Sequence, residues 1–208
     1  MISLETLTTF TMASILLGIA PGPDNIFVLT QGALRGKLAG IVVTLGLSTG
    51  LIVHTLAVAL GVAAIFQKSA IAFSILKYIG SAYLIYLAIQ AFRASNENIP
   101  KKSNQRLSLW KLYCRGIIMN ITNPKVSIFF LAFLPQFADP SKGPIALQII
   151  ILGSIFILST IFVFGTIAIL AGSLGNWLNQ SKNAQKILNR IAGTVFIGLA
   201  LKLVTAEK

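Results

Sequence analysis

Six apolar stretches recur along the chain, at about Leu4–Gln31, Leu38–Phe66, Ala70–Phe92, Leu112–Phe137, Ile145–Leu174 and Leu188–Val204, separated by short polar connections. A spanning helix needs about 20 such residues, with a lower limit near 17, to cross roughly 30 Å of hydrocarbon. The pattern therefore predicts six membrane-spanning helices. The last stretch is the shortest, and the first and fourth are interrupted by proline. Five spans with one re-entrant segment is thus the competing count.

Composition agrees with the pattern. Of 208 residues, 55% are hydrophobic and 11% charged, far from the usage of a soluble domain. The expectation is an all-α polytopic membrane protein forming one integral-membrane domain over residues 1–208. No Lys or Arg precedes Arg35, and the first apolar run is too long for a signal-peptide core, so this segment is expected to stay in the mature chain. Cys114 is the single cysteine, which excludes an internal disulfide or a thiol pair. It reads as a small apolar filler.

The net charge of +12 comes from 17 basic residues against five acids, and the basic residues sort by loop. Arg35 and Lys37 follow the first stretch. Arg93, Lys101, Lys102, Arg106, Lys111 and Arg115 follow the third, and Lys182, Lys186 and Arg190 precede the sixth. By the positive-inside rule these loops are cytoplasmic and both termini are extracytoplasmic. The charge is therefore topogenic and needs no nucleic-acid partner; the bilayer is the partner it implies.

A polar linker at about 93–111, holding Pro100, divides the chain into halves of about 1–95 and 108–208. Ile75-Leu76-Lys77-Tyr78-Ile79-Gly80 resembles Ile187-Leu188-Asn189-Arg190-Ile191-Ala192. Three spans per half force opposite orientations, so related halves would be two inverted three-helix repeats, a transporter architecture.

The same alignment sets Pro21-Gly22-Pro23-Asp24-Asn25 beside Thr122-Asn123-Pro124-Lys125-Val126. Proline removes a donor and clashes with the preceding turn, leaving backbone groups that protein, water or ligand must satisfy. Paired broken helices point to a transporter's binding site. Asp24 is the one acid inside the apolar stretches away from their ends, and it lies about ten residues, or roughly 15 Å of helix, from Arg35. Centring Asp on a spanning helix costs about 2.5–3.5 kcal/mol, so such acids face a partner or a water-filled cavity. Lys125 is close to the centre of its own stretch. The two charges either take the ammonium and carboxylate of a zwitterion or form a structural ion pair locking the halves.

His54 is the only histidine, again at mid-stretch. It is either a proton relay with Asp24 or a ring hydrogen-bonded to a neighbouring helix. Gly36 with Gly40, and Gly46 with Gly50, read as small-residue faces for close helix packing, within one chain or in a homo-oligomer.

In Pro21-Gly22-Pro23-Asp24, Gly46 with Gly50, Asn120-Ile121-Thr122-Asn123-Pro124-Lys125 and Phe133-Leu134-Pro135-Gln136-Phe137, the sequence resembles the LysE/RhtB family of amino-acid exporters. The resemblance covers essentially the whole chain. It implies a bacterial inner-membrane carrier that expels amino acids or close derivatives using the proton motive force. Carried over by position, it places Pro21, Gly22, Pro23, Asp24, Asn123, Pro124 and Lys125 on the pathway, with Asn120, Pro135 and Gln136 beside them. A cationic amino acid would need a further intramembrane acid, which favours a neutral substrate. The rival classes are a metal-ion or other small-solute exporter, a membrane-embedded enzyme and a channel. One Cys, one His and one intramembrane acid supply no cofactor motif or metal-ligand set.

Overall fold

The computed structural model describes residues 2–68, 70–94, 107–180 and 182–205. Most of the predicted linker, with Pro100, Lys101, Lys102 and Arg106, lies outside the described residues, as does the Lys208 end. Among the described residues there are α-helices and shorter helical turns and no strand.

The first apolar stretch is two helices. In α1 (Leu4–Ile19), Ser3 caps the N-terminus by accepting from Thr6 N at 3.2 Å. The helix stops because Pro21 pushes Ala20 into an extended conformation, with ψ 120°. The next helix, α2 (Pro23–Arg35), starts with Pro23 at its first position, where the missing N–H is no loss. The axes of α1 and α2 meet at 60°. Gly36, at φ +88°, then turns the chain into α3 (Lys37–Lys68). No neighbour lies within 4 Å of where a Gly36 Cβ would sit. The expectation that Gly36 packs a helix is therefore corrected: it is a turn residue, present for its positive φ. Gly40 does pack, since a Cβ there would meet Ala168 Cβ at 2.8 Å.

The second half repeats the interruption. After α4 (Ala70–Arg93), α5 (Leu109–Ile121) is capped by Ser108 and ends at Thr122. Asn123 caps the short α6 (Pro124–Ile128), again with proline at the first position. The bend is 49°. From there the chain continues as a π turn, Phe129–Phe133, and a 3₁₀ turn, Leu134–Phe137. Two long helices, α7 (Ile145–Gln180) and α8 (Lys182–Thr205), complete the chain.

Three single helices, over Lys37–Gly61, Ile145–Ala171 and Gln185–Thr205, are long and apolar enough to cross a membrane, and counting each bent pair as one span raises this to five. The third predicted stretch is α4, a helix of 24 residues lying along α8. Large apolar side chains such as Leu60, Ile71 and Phe162 face outward, the arrangement of a polytopic membrane protein in lipid. Inside, α3 packs between α5 and α7, α2 against α3 and α7, and α4 on α8. One core gathers Phe10, Phe129, Phe130, Phe133 and Phe156, and a second gathers Val28, Val43, Leu47 and Phe164. The two broken segments run between these cores, with Ala20 and Val126 in the first and Val28 in the second.

The loops sort to two ends. Arg35 Nη1 donates to Leu107 O at 3.5 Å, joining the first and third connections. Ser3, Glu5, Gln136, Asp139, Lys142 and Lys202 line one cleft of about 390 Å³, so the first residues of α1 and the last turns of α8 share an end of the bundle.

Candidate functional site

A helix end leaves backbone carbonyls without intrahelical partners, and the end of α1 accounts for most of its own in an unusual way. Leu16 O accepts from Ala20 N at 3.0 Å. Gly18 O accepts from the Asn25 side-chain amide at 2.5 Å, across the break. Leu17 O and Ala20 O accept from Lys125 Nζ, at 3.3 and 3.0 Å, from the other half of the chain. The ammonium therefore closes the C-terminal end of α1, where the helix dipole favours a cation. Gly22 permits this approach, since a Cβ there would lie 3.1 Å from Nζ.

Asp24 makes the reciprocal crossing. Its Oδ2 accepts from Asn120 Nδ2, near the end of α5, at 3.3 Å. Being second in α2, the carboxylate also sits in the positive field of its own helix. Both charges are buried, Asp24 at 2% and Lys125 at 7% exposure. They are close enough to couple electrostatically, yet they do not form an ion pair. Among the described residues the one salt bridge is Lys142–Asp139 at 3.5 Å, in the loop before α7.

The amides at the breaks have fixed orientations. Asn123 Oδ1 accepts from Lys125 N at 3.0 Å, and its Nδ2 is turned to the Asp24 carboxylate. Asn120 and Asn25 each use Nδ2, leaving each Oδ1 free. Thr30 Oγ1, Gln31 Oε1 and Ser48 Oγ are also buried without a partner. Buried polar atoms are ordinarily satisfied, because leaving one unmade costs about 1–3 kcal/mol. The oxygens of Asn25 and Asn120 stand at the two breaks.

His54 stands at the edge of this cluster. Its Nε2 lies 3.2 Å from Asn120 O; a carbonyl only accepts, so Nε2 carries the proton. The ring lies 5.5 Å from that of Phe130 in the π turn. Gly50 brings Asn120 in: a Cβ there would meet Asn120 Oδ1 at 2.7 Å, and one at Gly46 would meet Tyr113 O at 2.2 Å. These two glycines pack α3 on α5 as their spacing predicts.

Of the residues singled out in the sequence, Gly22, Asp24, Asn25, Asn120, Asn123 and Lys125 come together, with Pro21, Pro23 and Pro124 shaping the backbone between them. Gln136 lies apart: its amide bonds Ala132 O at 3.2 Å and its side chain lines the cleft at the end of the bundle. Pro135 lies in the 3₁₀ turn. The sequence reading passed over the carbonyls of Leu17, Gly18 and Ala20, although the rule of orphan carbonyls before Pro21 could have found them. It also passed over Ser48, a polar residue in an apolar run. Among the described residues no group of three or more His, Cys, Asp or Glu is placed to hold a metal.

Comparison with known proteins gives this geometry a context. A family described as "LysE type translocator" matches residues 15–207. The chain is 34% identical over 198 residues to the homoserine/homoserine lactone efflux protein of Salmonella typhimurium, covering 95% of each. It is 31% identical to an uncharacterised membrane protein of Vibrio cholerae, over 95% of this chain and 96% of that one. A similar relation, 31% over 208 residues, holds for an uncharacterised membrane protein of Bacillus subtilis. No solved structure matches the chain. With the match running from the end of α1 to the end of α8 and taking in both breaks, the chain belongs to the LysE type translocator family.

Proposed function

We propose that this translocator exports neutral amino acids or close derivatives, of the homoserine kind, outward across the bacterial inner membrane, and that the two crossed helix breaks are its binding site. The observation that carries the reading is the buried polar cluster of Asp24, Asn25, Asn120 and Asn123 at the point where both broken helices meet, in which the Asn25 and Asn120 oxygens have no donor. The Salmonella relative named for homoserine and homoserine lactone efflux supports the substrate class. Asp24 is the acid in the pathway, and with His54 it forms the proposed route for a coupling proton. A single intramembrane acid matches a substrate with one cationic group.

The fold reading that goes with it is six spans: the pair α1 and α2, then α3, α4, the pair α5 and α6, α7 and α8. Ser3 and Lys202 lining one cleft support it, since a chain that starts and finishes at one end crosses an even number of times. Packing of α3 on α7 and of α4 on α8 supports inverted halves, because corresponding elements then face one another. The linker would be cytoplasmic and the termini extracytoplasmic.

The test is export from cells loaded with dipeptides, scanned over all amino acids. Expression of the parent protein should speed release of homoserine or a related neutral amino acid. The Asp24→Asn variant, present in the membrane at equal amount, should lose that release. Unchanged release of every amino acid would sink the exporter reading.

A further inference from the structure

The free hydrogen-bonding capacity at the breaks is lopsided. Two amide oxygens there, Asn25 Oδ1 and Asn120 Oδ1, have no donor, and the one amide nitrogen left over, Asn123 Nδ2, is already turned to the Asp24 carboxylate. Amide oxygens and nitrogens are easily exchanged in assignment, but here the network decides. Turning Asn120 over would set its oxygen against Asp24 Oδ2, and turning Asn25 over would set its oxygen against Gly18 O. Both oxygens are therefore left without a donor, that of Asn120 beside Gly50. They lie near one formal negative charge, in a region where each is buried.

Lys125 offsets the charge of Asp24 but supplies few donors. Two of its three N–H donors are committed to Leu17 O and Ala20 O. A solute carboxylate that took them would strip the partners from the end of α1. The ammonium is a latch that closes a broken helix, and the site beside it is rich in acceptors.

From this arrangement we infer that the buried site recognises the ammonium group of its solute, through Asp24, Asn25 and Asn120, and that a carboxylate on the solute is dispensable. This rests on the exporter reading above and narrows it: the ligand class becomes small primary amines bearing a polar tail, whether amino acid, amino lactone or amino alcohol. Homoserine and its lactone share the ammonium and differ in that the lactone has no free carboxylate. A site built on the ammonium holds both.

The experiment uses the full-length protein purified in detergent and read by ligand-induced thermal stabilisation, in parallel with counterflow of labelled homoserine in proteoliposomes. The probes are homoserine, homoserine lactone, the amino alcohol from reduction of homoserine, and γ-hydroxybutyrate, which keeps the carboxylate and lacks the amine. The three amines should stabilise the protein and compete in counterflow within about tenfold of one another. The hydroxy acid should do neither, and Asp24→Asn should weaken all three amines by tenfold or more. Stabilisation by the amines without homoserine counterflow would retire the homoserine-export reading while leaving the ammonium site standing. Stabilisation by the hydroxy acid equal to that by homoserine, with the lactone and amino alcohol inert, would overturn the inference. So would the absence of stabilisation by any amine.

Discussion

The two helix breaks share a plan and differ in how they are satisfied. Each has a capping residue, a proline at the first helical position and a charge at the second, Gly22-Pro23-Asp24 in one and Asn123-Pro124-Lys125 in the other. The second break is closed mostly from nearby. Thr122 N and Oγ1 both donate to Ile118 O, Asn123 N donates to Asn120 O, and the Asn123 side chain caps α6. The first break has no side-chain cap, and two of its carbonyls depend on an ammonium from the other half of the chain. A cation suits the C-terminal end of α1, and an anion suits the N-terminal end of α2. Lysine at the start of α6 opposes its own helix dipole, so its position makes sense only through α1. The lesson is that one break is stabilised by the other.

The largest predicted effect follows from that dependence. Lys125→Met keeps the apolar stem and removes the latch, leaving Leu17 O and Ala20 O unsatisfied and Asp24 without its nearby cation. Stability should fall by about 3–5 kcal/mol, the usual cost of removing one buried charge from a coupled pair, measured by chemical or thermal unfolding in detergent. Asp24→Asn also removes one charge of the pair but leaves the ammonium on Leu17 O and Ala20 O, so stability should fall by less. The double change Asp24→Lys with Lys125→Asp breaks the comparison open. If the charges were a simple ion pair, reversal would restore the folded amount. Here a carboxylate at position 125 would face the carbonyl oxygens of Leu17 and Ala20, so the double variant should remain as depleted as Lys125→Met alone.

Much of this plan can be read from the residues. Pro21, Pro23 and Pro124 announce broken helices because proline acts locally, whatever surrounds it. The apolar runs place the helices, and α3 covers its predicted stretch within two residues at each end. What the sequence does not carry is which partner each charge chooses. Equal spacing suggested that Asp24 and Lys125 would meet, whereas the 60° and 49° bends aim each charge at the opposite helix end. Gly36 and Gly40 look alike in the sequence, and only the turn at φ +88° separates the first from a packing role. The π turn at Phe129–Phe133 has no local signal either. It is fixed by the crowding of Phe129, Phe130 and Phe133 on Phe10 and Phe156, and by Gly80, where a Cβ would meet Ala132 Cβ at 2.4 Å.

A middle-sized effect probes the acid's side of the comparison. Gly50→Ala would place a methyl 2.7 Å from Asn120 Oδ1 and 2.8 Å from Asn120 Cβ, both part of one buried side chain. Overpacking of this kind costs about 1–3 kcal/mol. Because the displaced group is the one that holds Asp24 Oδ2, exchange activity should drop further than folded yield. Purified variant and parent, matched for folded amount, would be compared by initial rates of counterflow. Equal rates would mean that the position of Asn120 does not matter to the acid.

The smallest effect tests how much give the latch has. Gly22 is extended, with φ −174°, a conformation open to any residue. Gly22→Ala therefore adds no backbone strain; its one close neighbour is Lys125 Nζ, at 3.1 Å from the new Cβ. That contact is tighter than comfortable, but the atom is the end of a flexible side chain. A displacement of a few tenths of an ångström would lengthen the bonds to Leu17 O and Ala20 O without breaking them. The expected loss is under about 1 kcal/mol, within the ordinary range for weakening one hydrogen bond, and should appear as a small shift in unfolding midpoint with exchange activity retained. A loss as large as that of Lys125→Met would show that the ammonium has no room to move, making the two breaks one rigid joint rather than two ends held by an adjustable latch.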